Sequence, residues 1–205
     1  MPSAAFEIMQ KGGPVMWVIL ALSVVAVAVL IERIHFFHRN AGPIDVFLSG
    51  LSNLLKQKKY DEALERCDEV YHPAAKIAHA AILKRDLPKN ELREILQEVA
   101  QMQVPRFEAH LRVLSTIGSI APLLGFLGTV TGMIHAFMTI EQAMGSVPVG
   151  NLAGSIWEAL ITTAGGLIVA IPCYVAYNFL ASRLQTVLTD MERFSIEILQ
   201  ILSEK

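Results

Sequence analysis

LSTIGSIAPLLGFLGTVTGMIHAF, residues 114–137, and SIWEALITTAGGLIVAIPCYVAYN, residues 155–178, decide the fold. The first lies in an uncharged block from Val113 to Ile140, bounded by Arg112 and Glu141. The second lies in a block from Ala159 to Ser182, bounded by Glu158 and Arg183. Each is long enough to cross a bilayer with some tilt, and a soluble helical core rarely needs two uncharged runs of this length. A third block, Val15 to Ile31, is also free of charge and closes at Glu32 and Arg33. Its seventeen residues give ~26 Å of helix, the short end of a spanning segment. A secretory signal is the alternative for this block. Its basic residues, Arg33 and Arg39, follow the apolar stretch instead of preceding it, and no small-residue cleavage site comes after.

Composition agrees. The 205 residues are 53% hydrophobic and 18% charged, with a mean hydropathy of +0.46. A soluble domain carries about 25% charge. The net charge of −2 and the scatter of basic residues exclude a nucleic-acid surface. Cys67 lies in a polar stretch and Cys173 in an apolar block, so neither a disulfide nor a metal spacing is expected. The fold class is therefore an all-α integral membrane protein, with three transmembrane helices and long cytoplasmic helical extensions.

Orientation follows from lysine and arginine. Lys11 alone precedes the first span, thirteen basic residues lie in 33–112, none in 141–158 and three from Arg183 onward. The expected order is a periplasmic segment 1–14, spans at 15–31, 113–140 and 158–182, a cytoplasmic loop 32–112, a periplasmic loop 141–157 and a cytoplasmic tail 183–205.

The polar parts read as helices. Ile44, Phe47, Leu48, Leu51 and Leu55 form one stripe, and Tyr60, Ala63, Leu64 and Cys67 a second. Pro73 and Pro88 stand where new helices begin. Leu92, Ile95, Leu96, Val99 and Met102 make a further stripe, with Pro105 as a kink before the second span. Leu184, Val187, Leu188, Met191, Phe194, Ile198 and Leu202 continue the third span as an amphipathic tail. Such a helix, ~80 Å from Asn151 to Lys205 at 1.5 Å per residue, needs lateral partners, which suggests an oligomer. His72 and His79 read as surface histidines, and His35 and His38 as interfacial anchors. Neither a phosphate-binding loop nor a nucleophile elbow is found, so an enzyme is not expected. No cofactor and no metal is expected either.

Chemistry is expected inside the spans. Gly118, Gly125, Gly128, Gly132, Gly165 and Gly166 let helix backbones approach in lipid. Pro122 and Pro172 remove helix hydrogen bonds and are expected to bend the spans. Thr129 and Thr163 each fall ~12–18 Å from the outer end of their helix, near the bilayer middle. In an oligomer they would form a ring of hydroxyls round a pore. Glu158 is either a helix-end charge reaching headgroup water or a functional acid near the outer mouth. His135 is either an interhelical hydrogen-bonding group or a proton relay, and Thr162 is a further candidate for lining or relay. No aspartate occurs in any span.

Residues 121–137, APLLGFLGTVTGMIHAF, and 158–178, EALITTAGGLIVAIPCYVAYN, resemble the two signature segments of the MotA/TolQ/ExbB proton-channel family. The resemblance extends over most of residues 12–200 and is nearest to the ExbB branch. TolQ-like members usually carry tryptophan where Thr131 stands here, and the flagellar stator branch has four spans. The resemblance implies a homo-oligomer, a pentamer, in the bacterial inner membrane. Its pore holds single-span helices of an ExbD-like partner, each with an aspartate that takes up and releases protons. The motion energises a TonB-like protein, or in the TolQ-like alternative maintains the envelope. A non-conducting membrane scaffold is the reading from another class. The resemblance also implies that Thr129, Thr163 and Glu158 are pore positions, and Pro122 and Pro172 kink positions.

The charge asymmetry makes a direct prediction. In intact cells, a membrane-impermeant thiol reagent should label a cysteine placed at Gly145 and spare one at Asn53. The reverse pattern would invert the topology.

Overall fold

The computed structural model describes residues 9, 12–40, 45–142 and 149–203, without the side chains of 45 and 149–152. Most of segment 1–14, much of loop 141–157, and Ile44, Gly145 and Lys205 lie outside the described residues. Among the described residues the chain is helical throughout: α1 Gly13–Asn40, α2 Asp45–Lys56, α3 Tyr60–Asp68, α4 Pro73–Leu83, α5 Lys89–Glu108, α6 Leu111–Gln142 and α7 Val149–Ser203. The three apolar blocks lie inside α1, α6 and α7, and each of these helices overruns its block. Two compact units result. One comprises Met1–Ile31 and Arg112–Phe179, the other Glu32–Leu111 and Leu180–Lys205.

The first unit contains the apolar segments. Its helices are long and apolar enough to cross a membrane, yet only 11% of the most apolar stretch of α1 is buried, and 28% of those of α6 and α7. Trp17, Val24, Leu123, Phe126, Phe137, Ile168 and Val175 all point outward. In water such a surface would drive aggregation. Facing lipid or another subunit, it carries no such penalty, because apolar side chains need no water there and a helix bonds most of its backbone groups internally.

The second unit is built like a soluble helical domain. Phe47, Leu51 and Leu55 of α2 point inward, as do Ala63 and Cys67 of α3. Burial pushes the Cys67 thiol up to about 12, so it stays a protonated core residue. Between α2 and α3, Lys58 takes φ +58°. Its N–H donates to the Leu55 carbonyl and the Lys59 N–H to the Leu54 carbonyl, both at 3.0 Å. That pair of bonds is a Schellman turn with lysine where glycine is usual. The alanine-rich α4 packs against both α3 and α5, and Ala74, Ile77, Ala78, Ala81 and Ile82 are fully enclosed. Pro73 begins this helix, as expected, and Pro88 caps α5. On α5, Leu92 and Leu96 are buried, but Met102 is 67% exposed and Gln103 takes the inward place. A 3.6-residue period carries the stripe from 96 through 99 to 103, so the apolar reading slips by one position.

Two further points concern the helix ends. The helix that carries Pro105 ends at Ala109–His110, where His110 has φ +61°. Pro105 sits inside α5, and its carbonyl accepts the last bond of that helix from Ala109 N–H at 2.9 Å. The tail stripe of α7 does find lateral partners, but within its own chain. Leu184, Val187, Met191, Phe194, Ile198 and Leu202 are buried in the second unit. The Phe194 ring lies 6.5 Å from that of Phe47. The tail by itself therefore does not require another subunit.

At the foot of α1, Arg33 is 4% exposed, and its burial is matched by partners. It donates twice to the Glu32 carboxylate at 2.7 and 2.5 Å and once to the Arg106 carbonyl at 3.2 Å. That carbonyl belongs to the last turn of α5, which lacks helical donors. Phe36, Phe37 and Phe107 enclose the site edge to face. The Arg33 guanidinium, together with His110, holds the Glu32 carboxyl down at about 2.

His72 caps α4: its Nδ1 accepts the Ala74 N–H at 3.2 Å. Burial lowers its pKa from the ordinary 6.5, against an opposing pull from Asp190. The folded state thus favours the neutral ring, which alone has the free acceptor. The unfolded chain binds the proton first, so stability rises with pH and declines as pH falls below about 6.5. Thermal melts in detergent between pH 7.5 and 5.5 should show wild type losing more stability on acidification than His72→Asn, which retains a capping acceptor without titrating. Equal losses would remove His72 as the cause.

Candidate functional site

Gly118, Ala121, Gly125, Gly128 and Gly132 recur every three or four residues and form one stripe along α6. α7 lies against that stripe almost backbone to backbone. A Cβ on Gly125 would stand 2.9 Å from Thr163 Cα, and one on Gly132 would stand 2.9 Å from Ala159 Cβ. A Cβ on Gly166 would meet the Ala121 carbonyl oxygen at 2.5 Å, and one on Gly128 the Thr162 Cβ at 2.5 Å. At Gly118 the neighbours, Tyr174 N and Ala170 O, are looser at 3.5 and 3.7 Å. As numbers rise along α6 they fall along α7, so the helices are antiparallel. Without a hydrophobic force between helices in lipid, this close approach is what supplies dispersion contact.

The seam sorts the hydroxyls. On α6 four of them bond to their own helix: Thr116 to Arg112 O, Ser119 to Ser115 O, Thr131 to Leu127 O and Gly128 O, and Thr129 to Phe126 O at 2.6 Å. Thr162 is 1% exposed and donates to Glu158 O and Ala159 O. Thr163 differs, because its hydroxyl donates across the seam to Gly125 O at 2.8 Å. In a helix that carbonyl also receives the Thr129 N–H. Thr163 is thereby brought to the helical turn that ends at Thr129, although the two side chains do not bond to each other.

The structure does not gather Glu158 into that cluster. Five residues before Thr163, it lies about 140° round α7 at 100° per residue. Its carboxylate rests instead against Gly13, at the start of α1. Gly165, two turns further along the same face, meets α1 at Met16: its Cβ would stand 3.0 Å from the Met16 Sδ and Cε. His135 is exposed on α6, and its carbonyl accepts from Thr139 at 2.8 Å. Pro122 and Pro172 lie inside helices that continue past them. Pro172 borders an apolar crevice of about 140 Å³ with Ser23, Ala26, Val27, Leu30, Ile168 and Cys173. Among the described residues no cluster of three or more acidic, histidine or cysteine side chains could hold a metal. Sequence reasoning missed Gly13 and Met16. The Gly12-Gly13-Pro14 run marks a turn and helix start, but nothing in it names Glu158 as the neighbour.

Fold and seam together define a polytopic α-helical membrane protein whose second and third spans form one glycine-locked pair. Comparison with known proteins gives the family: residues 69–193 match the MotA/TolQ/ExbB proton channel family, and the chain belongs to it. It is 34% identical to the biopolymer transport protein ExbB of Neisseria gonorrhoeae over 161 residues, 71% of this chain and 72% of that one. It is also 34% identical to a putative biopolymer transport protein, ExbB-like 1, of Synechocystis sp. over 180 residues, 84% and 68% of the two chains. In three dimensions it resembles the solved structure of C. jejuni MotAB, with a TM-score of 0.57 and 16% identity over 99% of this chain and 73% of that one. At that identity the likeness speaks for the fold alone.

The seam predicts opposite outcomes for two glycines. Gly128→Ala puts a methyl into Thr162 and should destabilise by ~1–3 kcal/mol. Gly50, in α2, has no neighbour within 4 Å of a Cβ, so Gly50→Ala should be neutral or gain ~0.5–1 kcal/mol. Thermal unfolding in detergent reads both, and a tolerated Gly128→Ala would contradict the close packing.

Proposed function

We propose that this chain is the non-enzymatic channel subunit of a proton-driven motor of the ExbB type. It works in the bacterial inner membrane as a homo-oligomer, a pentamer. The N-terminus faces the periplasm, and the second unit and tail face the cytoplasm. A single-span partner supplies a transmembrane aspartate, and a TonB-like protein carries the output to the outer membrane. The observation that carries this reading is the Thr163 bond to Gly125 at the Thr129 turn, inside spans that contain no aspartate. Hydroxyls and apolar side chains do not titrate near neutral pH. With Glu158 at the edge of its span, a proton machine built on them must take its mid-membrane carboxylate from elsewhere.

The chemistry suits that task. A carboxylate is far cheaper to hold in a low-dielectric site when it is neutral or hydrogen-bonded. A threonine hydroxyl can accept from the neutral acid while its own O–H stays on a helix carbonyl, as those of Thr163 and Thr129 do here, and donates to the charged acid only by turning off that carbonyl. No fixed cation then traps the ionised state. This matters because 100 mV of potential supplies only about 2.3 kcal/mol per charge. A trap of that depth would stall the cycle.

Thr163→Val keeps the shape and removes the donor. In cells it should leave assembly with the partner intact and lower gradient-dependent uptake at least about tenfold, the effect of ~1.4 kcal/mol on a barrier. Glu158→Ala should do the same, and Thr116→Val should matter less. A Thr129→Val/Thr163→Val complex that assembles and still transports fully would reduce both threonines to packing residues.

A further inference from the structure

Glu158 is half-buried and faces the first span, away from the α6 seam. The residue beneath its carboxylate is Gly13, and a Cβ there would overlap Glu158 Oε1 and stand 3.3 Å from Cδ. Gly13 has φ +65°, a left-handed conformation that L side chains rarely adopt. Pro14 follows at the first full helical position, where its missing N–H is no loss. The early N–H groups of α1 have no helical acceptors, and the helix dipole presents its positive end there. Met16, one turn later, lies over Gly165. The start of α1 therefore leans on α7 at two places seven residues apart on one face. At both places the close approach depends on a glycine.

We propose that Gly13 is a positioning residue for Glu158: its missing side chain lets the first turn of α1 seat the carboxylate at the outer end of α7. This deepens the reading in which Glu158 serves the proton path, and rests on it. The first span then has a task besides anchoring. It supplies a partial positive field to the acid, fixed in direction and without a full cation. A lysine or arginine there would bind the carboxylate in one state, whereas a helix end holds it and leaves it free to exchange.

The test uses the full chain with its partner subunit in cells. Gly13→Ala should assemble normally and lose about tenfold in gradient-dependent uptake, about 1.4 kcal/mol in a limiting barrier. Gly13→Asn separates space from backbone. Asparagine accepts positive φ, so activity should still fall if the space matters, and should persist if only the backbone angle does. Glu158→Asp withdraws the carboxylate by one methylene. Combined with Gly13→Ala it should recover most of the activity lost by Gly13→Ala alone. Failure of that rescue, or an active Gly13→Asn, overturns the proposal. The contact is also read without function. In a Cys67→Ala/Cys173→Ala background, a Gly13→Cys/Glu158→Cys chain should cross-link within one subunit under mild oxidation. No cross-link would defeat the contact even if Glu158 proves essential. If instead Glu158→Ala transports normally while the cross-link forms, the seating stands as geometry and the proton-path role of Glu158 falls.

Discussion

Two helix backbones approach each other in a medium that offers them no hydrophobic reason to do so. This is the constraint on which the membrane part of the protein rests. Lipid is as apolar as leucine, so α6 and α7 gain by contact only if their main chains come close enough for dispersion and for hydrogen bonds to carbonyls. Glycine at 125, 128 and 132 makes that distance possible, and Gly166 answers from the other helix. The Thr163 bond to Gly125 O is a consequence of the same proximity. A β-carbon on Gly125 would block the approach that brings donor to acceptor. Packing and polar chemistry are thus one feature.

The second unit obeys the opposite solvent. Its helices bury leucine, phenylalanine and isoleucine against each other and, Arg33 apart, leave charge outside, as in a water-soluble bundle. It closes its weak points locally, with a histidine cap on α4, a Schellman turn at Lys58 and the Arg33 fork on the last turn of α5. Because α1 and α7 each run unbroken from one unit into the other, the spans are tied covalently to a folded helical domain.

The elements most legible in the sequence were those set by a single physical rule. The three apolar blocks, the starts at Pro73 and Pro88, and the stripes of α2, α3 and the tail each follow from length, ring geometry or period alone. The α5 stripe was misread at Met102 because steps of three and four both fit a helical period, and only the packing partner selects one. Pro105 was read as a kink because proline lacks an N–H. The helix runs on past Pro105, and the change of backbone angle that ends it, at His110, has no signal in the sequence. The need of the tail for partners was correct, but sequence does not say that they come from the same chain.

The sequence by itself determined that the chain is helical, that three segments suit a bilayer, which residues are small enough for close packing, and which family it joins. These depend on composition and on period along one helix. The tertiary structure decided which glycine meets which residue, that Thr163 rather than Thr129 reaches across the seam, and that Glu158 turns toward Gly13. Those outcomes depend on the rotation of one helix about its axis relative to another. A shift of one residue, about 100°, exchanges all of a helix's partners while leaving its own pattern unchanged, so only the packed helices fix it.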